Sequence, residues 1–132
     1  MTDGDGLHVE LVAADRLVWS GEAKMVIART TEGDVGILPN HAPMLSLMVD
    51  GVVDVQTTDG ETWIAAVDAG FLSVAANRVS VLAEHAEMSH EIDLEKARQD
   101  LERAKASGEN NDEAEEAVRR AEARIRAVER AS

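Results

Sequence analysis

Residues 51–64 read Gly51-Val52-Val53-Asp54-Val55-Gln56-Thr57-Thr58-Asp59-Gly60-Glu61-Thr62-Trp63-Ile64. A valine-rich run reaches an Asp-Gly pair and returns through Trp63 and Ile64, the strongest short-range hairpin signal in the chain. The same kind of unit recurs on both sides of it. Leu7, Val9 and Leu11 alternate with His8 and Glu10, so one face of a first strand is apolar and the other wet. Met25 and Ile27 lie between Lys24 and Arg29 in a further strand, which Glu32-Gly33 closes. Asn77-Arg78 is expected to turn the strand 71–75 back into 79–82, and Gly70 to mark a bulge or a close backbone approach. Apolar runs broken every eight to ten residues or so, from residue 7 to residue 84, predict an antiparallel sandwich or barrel.

After His85 the period lengthens from two to three and four. A helix capped near Asp93 carries Leu94, Ala97, Leu101 and Ala104 on one face. A polar loop at 107–111 follows. Asp112 with Glu115 then resembles a capping box for a second helix with Ala114, Val118, Ala121, Ile125 and Val128 in a stripe. The pattern predicts an antiparallel helical hairpin, supported on its wet face by Glu115–Arg119, Glu116–Arg120 and Glu122–Arg126 pairs four residues apart. The expected division is a β-sandwich domain over 1–88 and a two-helix hairpin over 89–132. Helices of about 14 and 19 residues are marginal alone in water, and these stripes are rich in alanine. The hairpin therefore needs a second surface, either the sandwich or a partner, and its position is switchable.

The 132 residues carry a formal charge of −13, with 26 acids and 13 bases and no cysteine. Residues 1–90 hold 14 acids and 4 bases, and residues 91–132 hold 12 acids and 9 bases. Such a chain is repelled by phosphate backbones and anionic lipid, which argues against nucleic acid as a partner. No run approaches the roughly 20 apolar residues of a membrane span, and the start lacks the regions of a signal peptide, so a cytoplasmic location without membrane insertion is expected. Disulfide and thiol chemistry are excluded. The sequence contains neither a Gly-x-Ser-x-Gly elbow nor a phosphate-binding loop, and His8, His41, His85 and His90 lack metal-ligand spacing. No catalytic residue and no metal site is expected.

The segment Gly33-Asp34-Val35-Gly36-Ile37-Leu38-Pro39-Asn40-His41-Ala42-Pro43 packs two glycines, two prolines and a histidine between strands. Its backbone is confined to one shape. That suits protein recognition through an exposed histidine and an apolar Ile37-Leu38 pair, or a structural corner in which His41 holds local carbonyls.

This segment resembles the Gly-x-x-Gly-Ile-Leu-Pro-x-His-Ala-Pro stretch of the epsilon subunits of bacterial F-type ATP synthases. Val67-Asp68-Ala69-Gly70-Phe71-Leu72-Ser73-Val74, Asn77-Arg78-Val79 and Val81-Leu82-Ala83-Glu84 are similar to the family's second block, and Ile92-Asp93 to the opening of its C-terminal helices. Ala69 departs where many members have glycine. The resemblance implies about ten antiparallel strands in a sandwich, then the helical hairpin.

It further implies a non-catalytic subunit of the central stalk of a proton-translocating ATP synthase. Its implied partners are the gamma subunit and the c-ring, and the alpha and beta subunits when the hairpin extends to restrain ATP hydrolysis. The implied place is the cytoplasmic face of the plasma membrane, peripheral, in the F1 sector. The candidate partner-binding residues are Glu32, Gly33, Gly36, Leu38, Pro39, Asn40, His41 and Pro43, with a sandwich face on gamma. No resident cofactor is implied. ATP is a possible weak regulatory ligand through Glu87, Ile92, Asp93, Lys96 and Ala97, although Lys96 stands where the family motif has arginine and cannot reproduce its planar fork of donors. Arg119, Arg120, Arg124, Arg126 and Arg130 are candidates for ion pairs with acidic segments of the catalytic subunits, or for solubility alone. The alternative from another class is a soluble adaptor whose hairpin docks a coiled-coil partner.

Overall fold

The computed structural model describes residues 6–106 and 112–131, so the expected loop at 107–111 lies outside the described residues. The strands are β1 (Leu7–Ala13), β2 (Arg16–Thr30), β3 (Gly33–Ile37), β4 (Met44–Met48), β5 (Gly51–Thr57), β6 (Thr62–Val67), β7 (Gly70–Ala75), β8 (Arg78–Ala83) and β9 (Ala86–Met88). A 3-10 turn at Ser89–Glu91 leads into helices α1 (Leu94–Ala106) and α2 (Asp112–Ala131).

β2, fifteen residues long, belongs to both layers of the sandwich. Its first half pairs with β1, which continues through β8 and β7 to β4. Its second half pairs with β3 on one edge and with β5 on the other, and β5 continues through β6 to β9. The pairing is antiparallel except between β1 and β8, which run parallel.

Between the layers lies an aliphatic core that includes Leu7, Val9, Leu11, Val26, Ile37, Leu72, Val74, Val79 and Val81, each at most 2% exposed. Fully burying each such side chain is favourable by about 1.5–3 kcal/mol. The alternation in β1 is complete, with His8, Glu10 and Val12 on the other face.

The hairpin read at Asp59-Gly60 joins β5 to β6, with Gly60 at φ 93°. The Thr57 hydroxyl fixes this turn by donating to the Asp59 carboxylate, while it accepts the Glu61 N–H at 2.9 Å. The β7–β8 turn corrects the sequence expectation by one position. Ala76 and Asn77 are the turn residues, at φ 50° and 61°, and Arg78 already pairs with Ala75. A two-residue turn of the I′ kind holds two consecutive left-handed residues, and Asn77 is the second of them rather than the first. At Gly70 the close approach is found. A Cβ there would stand 1.9 Å from the carbonyl oxygen of Leu82 on β8.

Asp93 accepts the Lys96 N–H at 3.1 Å and caps α1, as the sequence indicates. α2 lies across β5 and β6, and α1 packs on α2. The face of α2 that meets the sheet carries Ala123 and Ala127, which the sequence stripe does not contain. Of the stripe itself, Ala121 is buried and Ala114, Val118, Ile125 and Val128 are half-buried.

Candidate functional site

Three surfaces hold the functional candidates. The first is the glycine- and proline-bearing segment. Glu32 and Gly33 form the β2–β3 turn, where the Thr30 hydroxyl donates to Gly33 O at 2.9 Å and accepts the Glu32 N–H at 3.1 Å. Gly33 sits at φ 113°, a conformation that favours glycine. Gly36 lies exposed in β3, which pairs with β2 alone. Residues 38–43 then form a loop stapled to the β7–β8 turn. The Asn40 N–H donates to Asn77 Oδ1 at 2.6 Å, and Asn77 Nδ2 donates back to Asn40 Oδ1 at 3.3 Å.

Leu38, Asn40 and Pro43 are exposed, whereas Pro39 and His41 are half-buried. The expectation of an exposed His41 is corrected accordingly. Its Nδ1 lies 2.7 Å from the Ala42 carbonyl oxygen, a local tie that restrains the ring. Four residues of β3, at roughly 3.3 Å each, separate Glu32-Gly33 from the loop, so the candidates form two clusters with Gly36 on the strand between them.

The second surface was not read from the sequence. Leu47 on β4 stands opposite Phe71 on β7, Phe71 opposite Leu82 on β8, Leu82 beside Val12 on β1, and Val12 opposite Leu17 on β2. Registered neighbours share a face. The result is a continuous apolar row across five strands, with Leu45 beside it. Leu45, Leu17, Leu47, Phe71 and Leu82 are 73%, 56%, 54%, 48% and 47% exposed. An exposed row of this extent on one face marks an interaction surface. The available signal was the alternation of Leu45 and Leu47 with Met44, Ser46 and Met48, but periodicity cannot say which side of a strand faces the core.

The third surface is the seam between sandwich and hairpin. Val52, Ile64 and Ala66 form a small cluster with Ala123, Ala127 and the flanking Ile92. Four arginines of α2 reach carboxylates of the sandwich: Arg119 to Asp50 at 3.7 Å, Arg120 to Asp68 at 3.1 Å, Arg124 to Glu87 at 2.5 Å and Arg130 to Asp54 at 3.9 Å. Asp68 also accepts from His85 Nδ1 at 2.8 Å. Burial raises the Asp68 carboxyl above its ordinary range, opposed by the His85 hydrogen bond and the Arg120 charge. The Arg120 Nε–H makes no aligned hydrogen bond with that carboxylate, so the attraction is Coulombic. Of the expected helix-surface pairs, Glu116–Arg120 is formed at 2.6 Å, whereas Arg119 turns to the sandwich instead.

At the foot of the hairpin, Glu87, Ile92, Asp93, Lys96 and Ala97 line one cavity of about 250 Å³, together with Glu91, Asp100 and Arg124. The structure thus gathers the five sequence candidates and adds a guanidinium from α2. That guanidinium is held by Glu87, Asp93 is engaged as a helix cap, and Glu91 accepts the Met88 N–H at 3.0 Å. Four carboxylates face two cations, a balance that repels a polyphosphate. Among the described residues no cluster of three or more metal-ligating side chains occurs, and no helix is long and apolar enough to cross a membrane.

The fold is a β-sandwich module with a helical appendage, and its most exposed apolar surface is of the kind that marks an interaction face. Residues 6–89 match the family model described as ATP synthase, Delta/Epsilon chain, beta-sandwich domain, and the chain belongs to that family, as a non-catalytic subunit of the ATP synthase complex. It is 56% identical over 122 residues to the ATP synthase epsilon chain of Streptomyces avermitilis, covering 92% of this chain and 94% of that one. The fold is shared with a chain of the Euglena gracilis mitochondrial ATP synthase, OSCP/F1/c-ring, at TM-score 0.73 and 24% identity, covering 95% of this chain and 78% of that one. It is shared also with a chain of the Tetrahymena thermophila mitochondrial ATP synthase central stalk/c-ring, at TM-score 0.61 and 14% identity, covering 95% of both.

Proposed function

We propose that this chain couples the gamma subunit to the c-ring and restrains ATP hydrolysis through its hairpin. The observation that carries the reading is the apolar row Leu47–Phe71–Leu82–Val12–Leu17, exposed on the layer opposite α2. Exposing side chains of this size to water costs free energy that a covering partner recovers, and gamma is the partner we assign to this face. The Glu32-Gly33 turn and the stapled loop with Leu38, Pro39, Asn40, His41 and Pro43 offer small, rigid, polar elements, which suit the hydrophilic loops of a ring. Gly36 lies on the strand between them. The subunit acts at the cytoplasmic face of the membrane, as a peripheral part of F1.

The hairpin rests on the sandwich through few apolar contacts and several partly exposed charge pairs, a seam weak enough to open. Once lifted, Arg119, Arg120, Arg124 and Arg130 are free to exchange the sandwich carboxylates for acidic segments of the alpha and beta subunits. ATP is at most a weak ligand at the foot of the hairpin, because that cavity carries excess negative charge.

Two measurements test the reading. Phe71→Asp in the full chain should fold normally and lose binding to gamma by at least about 30-fold, on the scale of an anchoring aromatic; undiminished binding assigns gamma to another face. Removing residues 91–132 should leave gamma binding intact and raise hydrolysis by the assembled head, and unchanged hydrolysis removes the inhibitory role.

A further inference from the structure

Asp54 occupies an unusual place. On β5, Val53 and Val55 point into the main core, whereas Val52 and Asp54 point outward under α2, where Val52 joins the cluster with Ala123 and Ala127. Its carboxylate is 12% exposed, and Oδ1 is sealed with no hydrogen-bond partner among the described residues. The charged group facing it from α2 is Arg130, which lies 3.9 Å from Oδ2 with its own side chain 45% exposed. From the neighbouring strands the register sets Ile64 and Ile27 beside it. The remaining charges of the seam are spent on other pairs: Arg119 with Asp50, Arg120 with Asp68 and Glu116, Arg124 with Glu87, and His85 with Asp68. An ionised oxygen sealed without a donor opposes the contact that seals it.

We propose that Asp54 makes docking of the hairpin proton-linked: α2 seats more firmly on the sandwich when Asp54 is protonated and loosens when it is ionised. The inference rests on the reading that the hairpin is movable. With α2 lifted, Asp54 stands on the outer face of an open sheet and titrates as an ordinary aspartate. With α2 docked, burial raises its carboxyl above the ordinary 3.8, and Arg130 only partly opposes this. Docking therefore takes up a proton. The sign follows from linkage: the contact tightens as pH falls through the raised value, levels off below 3.8, and carries the full cost of the buried charge above the raised value. Acidification fastens the hairpin, contrary to the intuition that protonating an ion pair weakens it, because desolvation outweighs the distant and exposed Arg130.

The test is amide hydrogen exchange of residues 120–130 in the full isolated chain from pH 7 down to pH 3.5, a range that spans the ordinary 3.8 and the raised value above it, each rate divided by its intrinsic value. Amides of β7 and β8 serve as the internal standard. Protection of α2 should rise on acidification, by up to about tenfold for each pH unit by which docking shifts the carboxyl. Asp54→Asn should reduce the acid-linked rise to the part that the likewise buried Asp68 contributes, and Asp54→Val, which extends the apolar cluster, should dock more firmly than the unmodified chain at neutral pH. An unchanged profile in both variants, or protection that falls with acid, overturns the proton link while leaving a movable hairpin. Protection of α2 equal to that of β7 and β8 at every pH and in every variant overturns the link together with the mobility reading beneath it.

Discussion

Gly70→Ala isolates the tightest approach in the sandwich. The added methyl would stand 1.9 Å from Leu82 O and 2.8 Å from Ala83 Cα, both backbone atoms with no rotamer to yield. Restoring a contact near 3.5 Å means opening β7 from β8 by roughly 1.5 Å. That loosens the ladder around the Gly70–Ala83 and Phe71–Leu82 pairs. Two weakened backbone hydrogen bonds at about 0.5 kcal/mol each, with about 1–3 kcal/mol of overpacking strain, give a loss near 3 kcal/mol. For a chain of this size that lowers the melting temperature by roughly 10–15 °C. Gly36→Ala is the control, because a methyl there meets nothing within 4 Å. Thermal unfolding of the two variants followed by circular dichroism decides the matter. If Gly70→Ala melts within a degree or two of Gly36→Ala, the close approach does not constrain the strands. A folded but destabilised Gly70→Ala should also misalign Phe71 against Leu82 and weaken gamma binding.

Three further outcomes follow from the seam and the foot of the hairpin. Raising salt from 0.05 to 0.5 M should speed amide exchange in α2 severalfold and leave β7 and β8 unaffected, since partly exposed pairs are screened over about 10 Å at 0.1 M; Arg124→Ala should remove part of that dependence. Glu91 should titrate below its ordinary 4.5, owing first to the Met88 N–H and then to Arg16. Its contribution to the 3-10 turn is present above 4.5 and lost as pH falls through the lowered value, so Glu91→Gln should remove an acid-sensitive component seen by carboxyl NMR. Calorimetry of the isolated chain should show no saturable heat with ATP below the millimolar range, while Glu87→Gln, which frees Arg124, should strengthen any binding; tight binding to the unmodified chain contradicts the charge balance of that cavity.

Much of the architecture was legible because each signal was local. The Asp59-Gly60 turn, the alternation of β1, the cap at Asp93 and the crowding at Gly70 depend on residues within a few positions or on a glycine whose purpose is steric. The one-residue slip at Asn77 arose because Ala76 accepts a left-handed conformation that its side chain does not advertise. The parallel pairing of β1 with β8 joins segments some seventy residues apart, and nothing within either strand encodes it. In α2 the alanine–arginine face looked solvated, since arginine normally faces water. Only the sandwich beneath it, with Asp50, Asp54, Asp68 and Glu87 in place, makes that face an interface.

The succession of strands and helices and the segments that mark the family were legible in the sequence alone, because backbone preference and hydrophobic period are properties of neighbouring residues. The tertiary structure alone decided which sheet face is bare, how Leu47, Phe71, Leu82, Val12 and Leu17 align into one row, and that Asp54 lies sealed under the hairpin. Those facts depend on strand order and register, which bring together side chains with no covalent reason to meet.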